Sequence, residues 1–289
     1  MKPPVFEYHL PTSVTEALDL LGSLGSEAKV LAGGQSLLPV LSLRLSQPAN
    51  LVDINKLAEL GTISAWDGGV AIGATVRQRA AERSALVKER VPLLAEALPY
   101  VGHAQIRNRG TVCGSLAHAD PAAELPALAL ALDAQLVARS TRGERIISAA
   151  DFFHGYLTTA LEPEELLAEV RFPGGPSGAG WSFQEVSRRH GDFALVGVAC
   201  GVALDADARV TEARIALTGC GAGPLRARAA EQLVRGQTLS PDALSSAAES
   251  AAREIDPTTD VHASAAYRRH LASVLVKRAL GEAAQRARG

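Results

Sequence analysis

Two glycine-bearing segments, about eighty residues apart, constrain this chain more than any other feature. The first is Ala32-Gly33-Gly34-Gln35-Ser36, directly after the apolar run Ala28-Lys29-Val30-Leu31, which reads as a strand. The second is Asn108-Arg109-Gly110-Thr111-Val112-Cys113-Gly114-Ser115, leading into Leu116-Ala117-His118-Ala119-Asp120-Pro121-Ala122-Ala123-Glu124. Glycine lets a backbone take positive φ and turn unblocked N–H groups toward a ligand. Successive N–H groups in such a turn make a concavity suited to phosphate oxygens. One loop alone is weak evidence. Two, each carrying hydroxyl residues (Ser36, Thr111, Ser115), point to a long ligand with two phosphates lying across both. Neither string is G-x-G-x-x-G, which disfavours a nicotinamide-binding Rossmann unit.

Residues 1–57 read as β-α-β-α-β. Ser13 or Thr12 can cap a helix through Gly22, with Glu16 at capping-box spacing from Ser13. Leu37–Leu43 is a short helix or extended turn, and Asn50–Ile54 is a strand covered on both faces. Asp67-Gly68 between two alternating runs predicts a hairpin. Helices are expected over 76–84, 92–100 and 124–132, strands over 134–138, 145–147 and 165–172. The Pro/Gly/Ser cluster at 173–180 marks the main boundary. Beyond it come three strands, near 181–186, 194–204 and 210–219, and then helices over 226–234, 241–254 and 263–282.

Charge excludes several classes. Lys+Arg 29 against Asp+Glu 31 gives 29 − 31 = −2, with no basic run for nucleic acid or a membrane surface. No window has the roughly 18 uninterrupted apolar residues of a membrane span. Met1-Lys2-Pro3-Pro4 lacks a signal-peptide core, so cytoplasm is the expected compartment. Cys113, Cys200 and Cys220 form no C-x-x-C motif and no iron–sulfur ligand set. Buried packing is expected of Cys200 and Cys220, and small-residue packing ahead of redox chemistry of Cys113, which sits inside the second loop. Electrons carried by this chain would therefore travel on an organic cofactor.

Taken together, these strings resemble the FAD-binding medium subunit of the molybdenum hydroxylases, the family of carbon monoxide, xanthine and N-heteroaromatic dehydrogenases. The resemblance runs through the chain: Phe6-Glu7-Tyr8, Asp53-Ile54-Asn55, Gly73-Ala74-Thr75, Ile106 to Thr111, Asp151-Phe152-Phe153 before Gly155-Tyr156, Glu169 to Pro173, and Gly191-Asp192-Phe193-Ala194. It implies an α+β fold. A two-lobed FAD-binding domain of the PCMH type, like that of vanillyl-alcohol oxidase, would occupy 1–175, with lobes of about 1–57 and 58–175. An α/β domain with a three-stranded antiparallel sheet and helices would occupy 176–289.

The resemblance also implies roles. FAD, held non-covalently, would contact Lys29, Leu31, Ala32, Gly33, Gly34, Gln35, Ser36 and Leu37 at the first loop. At the second it would contact Thr111, Gly114, Ser115, Ala119, Asp120 and Glu124, and Phe193 would stack on the flavin ring. Cys113 stands where relatives carry a glycine, and Gln35 stands where tethered relatives carry histidine. Asp120 and Glu124, four apart, can share a helical face; one would bond ribityl or ribose hydroxyls and the other cap the helix. Phe193 is either a core aromatic or the stacking group. Arg107 and Arg109 read as loop braces, partner-facing groups or counter-charges to the pyrophosphate. No residue is expected to be a catalytic group or a metal ligand.

As such a subunit, the chain would receive electrons from 2Fe–2S clusters in a small subunit. A large molybdopterin subunit would oxidise an N-heteroaromatic compound, purine, aldehyde or carbon monoxide. The electrons would pass on to NAD, a quinone, a cytochrome or oxygen, in a dimer of heterotrimers. The alternatives are a self-contained FAD oxidase or dehydrogenase of the same flavin superfamily, and a scaffold that has lost its cofactor.

Overall fold

The computed structural model describes residues 2–288. The first lobe runs β1 (Glu7–His9), α1 (Val14–Leu24), β2 (Ala28–Leu31), α2 (Leu37–Ser42) and β3 (Asn50–Asp53). Its parallel sheet has the order β1-β3-β2, so β3 is central and all four of its residues are buried. Ser13 caps α1 by accepting from Glu16 N at 3.1 Å. The Glu16 carboxylate returns to Thr12, accepting from its N and Oγ1 at 2.7 and 2.9 Å. The helix passes through Gly22 to Leu24 and buries Val14, Ala17 and Leu21.

The second lobe begins with the hairpin of β4 (Ile63–Trp66) and β5 (Gly69–Gly73). Asp67 and Gly68 turn it with φ of 41° and 71°, as a two-residue turn matched to strand twist requires. Helices α3 (Gln78–Arg83), α4 (Ala85–Arg90), α5 (Pro92–Ala97), α6 (Ala104–Arg107), α7 (Val112–His118) and α8 (Glu124–Ala131) follow. Then come β6 (Gln135–Ser140), β7 (Gly143–Ser148), α9 (Ala149–Phe152), β8 (Phe153–Gly155), β9 (Thr158–Thr159) and β10 (Leu166–Phe172). The lobe's main sheet is antiparallel in the order β4-β5-β10-β6-β7. The helix expected from Val76 starts two residues later, because Val76 and Arg77 are extended and pair with the second glycine segment. Arg77 bridges Thr111, and Val112 N donates to Val76 O at 3.3 Å. Helix α4 was not anticipated; Ser84 caps it by accepting from Val87 N at 3.3 Å.

The C-terminal part holds β11 (Gly180–Ser187), β12 (Ala194–Leu204) and β13 (Val210–Thr218), edged by the two-residue β14 (Leu225–Arg226). Helices α10 (Arg228–Val234), α11 (Pro241–Glu254) and α12 (Ala265–Ala287) follow. Both faces of this sheet are covered, so β12 reads as a nearly unbroken apolar run. Val196, Val198, Cys200 and Val202 face the core shared with α11 and α12. The opposite face carries Trp181, Phe183, Ala199 and Ala216, which belong to the same core as α5 and α8. Trp181 lies opposite Gly201, where a Cβ would fall 2.4 Å from the indole.

Candidate functional site

The first glycine loop hangs from the end of β2. Leu31 pairs with Asp53 of β3, and Ile54 N donates to Leu31 O at 3.0 Å, so the strand end is fixed before the turn starts. Gly34 turns the chain at φ 72°, where a side chain is strained. Helix α2 then begins at Leu37, and its first outward hydrogen bond is Leu38 N to Gly34 O at 3.1 Å. Among the described residues, the N–H groups of Gly33, Gly34, Gln35, Ser36 and Leu37 donate to no protein acceptor. The Ser36 hydroxyl caps nothing. This leaves a row of free donors at a helix start, where the helix dipole also favours an anion. Lys29 is exposed, and Leu31, Ala32 and Leu37 are half-buried around the turn.

Arg107 shapes the approach to the second loop. Its guanidinium is buried, donating from Nη1 to the carbonyls of Pro99, Val101 and Gly102 at 3.2, 3.1 and 2.7 Å. Its Nε reaches Glu82 at 2.9 Å. Arg107 is thus a brace, whereas Arg109 is exposed. Thr111 caps α7, accepting from Gly114 N at 3.0 Å, and Ser115 sits half-buried one residue on. Cys113 is 2 % exposed and turned to the core, its Sγ 3.4 Å from Ile72 O. Burial raises its thiol pKa strongly. The cysteine at this position therefore packs behind the loop. Cys200 and Cys220 are also buried and unpaired.

The two loops touch. A Cβ on Gly33 would lie 2.5 Å from Arg109 O and 2.7 Å from Gly110 Cα, and one on Gly114 would lie 3.9 Å from Ala32 Cβ. No side chain fits between the backbones at Gly33, so the free donor row of the first loop and the capped start of α7 on the second form one continuous cradle. A molecule with two linked phosphates fits this arrangement: free N–H groups of the first loop face it, and the glycines leave its path clear.

Asp120 and Glu124 do not share a helical face, contrary to expectation. Pro121 enforces a turn between them, so Asp120 precedes α8 and accepts from Ala122 N at 2.9 Å. The N-cap of α8, Ala123, makes no side-chain hydrogen bond, and Glu124 in the first turn interacts with its own backbone N–H. Ala119 is the left-handed C-cap of α7 at φ 51°, reversing the chain toward Asp120. The same turn docks on the C-terminal sheet, where Thr218 Oγ1 donates to the Pro121 and Ala123 carbonyls at 2.9 and 2.7 Å.

Glu124 is 4 % exposed, and burial pushes its pKa up to about 7, with Asp120 adding to the rise and Arg107 opposing it. Glu185 of β11 joins it: burial, then the Glu124 charge, raise its pKa to about 8, and its Oε2 is buried without a partner. Phe193 is 61 % exposed, which removes the core reading. It follows Gly191, where a Cβ would meet the His103 ring at 2.5 Å, so its turn abuts the approach to the second loop.

Three residues given no role from sequence belong to this region: Asn55, Arg77 and Glu185. Asn55 and Arg77 bridge the loops through hydrogen bonds. Their signal was the Asp53-Ile54-Asn55 string for one and nothing local for the other. Among the described residues no cluster of His, Cys, Asp or Glu could hold a metal ion, and no helix is long and apolar enough to cross a membrane.

Comparison with known proteins matches residues 4–175 to the FAD-binding domain in molybdopterin dehydrogenase, and residues 181–283 to the CO dehydrogenase flavoprotein C-terminal domain. The chain is 44% identical over 288 residues to the alpha subunit of the 6-hydroxypseudooxynicotine dehydrogenase complex of Paenarthrobacter nicotinovorans, covering 100% of this chain and 97% of that one. It is 41% identical to the beta subunit of caffeine dehydrogenase from a Pseudomonas species, covering 99% and 97%. Among solved structures, carbon monoxide dehydrogenase of Hydrogenophaga pseudoflava lacking the Mo-pyranopterin moiety of its molybdenum cofactor superposes with a TM-score of 0.96. Identity there is 42%, over 99% of both chains.

Proposed function

Because this chain belongs to the family of FAD-binding chains of molybdopterin dehydrogenases, we propose that it is the flavin-carrying, electron-transfer subunit of a molybdenum hydroxylase. The observation that carries the reading is the junction of two glycine loops, with five free N–H groups on one side and a capped helix start on the other. FAD, when bound, supplies a carrier able to accept electrons singly from iron–sulfur centres and to deliver them to an external acceptor. The rest is the protein's contribution.

The N–H groups of Gly33 to Ser36 would hold the pyrophosphate, with the Ser36 hydroxyl as a further donor. Thr111, Gly114 and Ser115 would line its other side. The free Asp120 oxygen would take a ribityl or ribose hydroxyl, with Glu124 second. Lys29, Leu31, Ala32, Leu37 and Ala119 would form the surrounding wall. Phe193 would stack on the isoalloxazine, where its exposure is otherwise unexplained. Gln35 supplies no nucleophile for a tether, so attachment would be non-covalent. Two units, 1–175 and 176–289, would divide the work, the first holding the cofactor and the second closing over it.

A large molybdopterin subunit and a small 2Fe–2S subunit complete the proposal, as a dimer of heterotrimers. Substrate would be oxidised in the large subunit; the pseudooxynicotine and caffeine enzymes among the relatives, whose names denote a pyridine and a purine compound, favour an N-heteroaromatic compound or purine over an aldehyde or carbon monoxide. Cytoplasm is the proposed compartment, in keeping with three unpaired cysteines. Acid precipitation of the purified protein should release FAD quantitatively. In stopped flow, substrate should bleach the flavin only when both other subunits are present. A pellet that stays yellow would overturn non-covalent binding, and rapid bleaching of the lone chain would favour a self-contained oxidase.

A further inference from the structure

One guanidinium connects the carbonyls of both glycine loops. Arg77 Nη1 donates to Arg109 O at 2.6 Å, on the second loop. Its Nη2 donates to Asn55 Oδ1 at 2.6 Å, and Asn55 Nδ2 donates in turn to Ala32 O at 2.7 Å, on the first loop. The Asn55 orientation is fixed by a third contact: Nδ2 also reaches Asp53 Oδ1 at 2.6 Å, which accepts from Asn55 N as well at 2.8 Å. Flipping the amide would put like groups together at all three contacts. Asp53 Oδ2 accepts from Tyr8 Oη at 2.6 Å, anchoring the relay to β1. The Arg77 backbone is committed too, bridging Thr111, with Gln78 N donating to Gly110 O at 2.8 Å.

The same carbonyl of Arg109 that accepts from Arg77 is the atom against which Gly33 packs. The contact and the relay therefore fix one distance from both sides. Arg77 is half-buried and forms no ion pair among the described residues; Asp53 is reached only through Asn55. Burial and the neighbouring Arg109 charge lower its pKa, against the pull of Asp53. A partly buried cation without a carboxylate at the meeting point of two phosphate-type loops is held for its geometry, and its field favours an anion.

We propose that Arg77, oriented by Asn55, Asp53 and Tyr8, is a positioning residue that sets the spacing of the two glycine loops before the cofactor arrives. The proposal rests on the FAD reading above. Pre-setting matters because loops that must be ordered at binding subtract that cost from affinity. The planar fork of arginine reaches acceptors on two lobes at once, which the single ammonium of lysine cannot.

The test uses the full-length apo-protein and FAD, read by quenching of flavin fluorescence. Arg77→Met and Asn55→Ala should each weaken FAD binding about 10- to 100-fold, and the double variant should be little worse than either single one. Arg77→Lys should behave as Arg77→Met does, and serves if the latter fails to fold. Millimolar methylguanidinium should restore tight binding to Arg77→Ala, a recovery that general destabilisation would not show. Arg77→Met and Arg77→Lys binding within twofold of wild type, fully additive losses, or absence of rescue would overturn the proposal. A wild-type protein that binds no FAD would instead remove the cofactor reading on which it rests.

Discussion

Gly33→Ala is the smallest change that asks whether the two loops must touch. An unstrained carbon–oxygen approach is about 3.3 Å, against 2.5 Å from a Cβ at residue 33 to Arg109 O, so the loops must part by about 0.8 Å. Should the whole shift fall on the 2.6 Å bond from Arg77 to that oxygen, it would stretch to about 3.4 Å, beyond hydrogen-bond range. Overpacking of this kind costs roughly 1–3 kcal/mol, and a lost bond to a charged group costs roughly 1.5–3 kcal/mol. Because the two effects share one displacement, we expect FAD binding to weaken by about 1.5–3 kcal/mol, roughly 10- to 150-fold.

Gly34→Ala is the control. Its strain comes from φ 72°, and its Cβ would meet the Leu38 side chain at 3.1 Å, which can turn away. A left-handed alanine costs about 1–2 kcal/mol, so its loss should be the smaller. Titration of apo-protein with FAD, beside thermal melts without it, measures both. Gly33→Ala binding FAD within twofold of wild type would falsify the shared-cradle geometry, and so would the reverse order of the two variants.

The remaining expectations are simpler. Glu124 and Glu185 have folded-state pKa values raised from 4.5 to about 7 and about 8. The native state thus keeps protons that the unfolded chain sheds; the associated stability is intact below about pH 4.5 and is lost as pH rises through 7 and 8. Denaturant unfolding of the apo-protein at pH 6 and 8.5 should show this loss, by up to about 1.4 kcal/mol per pH unit for each group. Glu185→Gln should flatten it; an unchanged pH slope would rule out the pair as its source. Arg107→Met strips three carbonyls of their donor, while Glu82 keeps Arg79, and should cost roughly 2–4 kcal/mol in urea unfolding, with a loss below about 1 kcal/mol refuting the brace. Phe193→Ser should leave apo stability within about 0.5 kcal/mol while changing the absorbance of bound flavin; a loss typical of a core aromatic would contradict its exposure.

Local chemistry made much of this fold legible. Asp67-Gly68 announced its hairpin because both positions need positive φ, and the apolar run within Asn50–Ile54 announced a strand covered on both faces, as β3 is. Features that depend on distant partners were not legible. Val76 and Arg77 looked helical because their strand partner, Thr111, lies far along the chain. The four-residue spacing of Asp120 and Glu124 suggested a helix, but Pro121 places a turn there. Glu185 had no local mark, since its lack of a partner arises only when β11 packs toward α8. The glycine loops were recognisable separately; that Gly33 rests on the Arg109 carbonyl is a property of two lobes packed together.

Helix α8 belongs by chain order to the flavin-loop half, yet all eight of its residues are buried. Its core extends without a break to Trp181, Phe183, Ala199 and Ala216 of the C-terminal sheet. Arg226 ties the two together, donating to Leu130 O and Asp133 at 2.8 and 2.9 Å. A truncation at the Pro/Gly cluster would expose an apolar surface that no solvent-facing stripe of α8 could offset, and the fragment should aggregate rather than fold. The two halves should therefore melt as one cooperative unit despite the loop between them. During synthesis, the first would have to wait, or be held, until the second emerged to cover it.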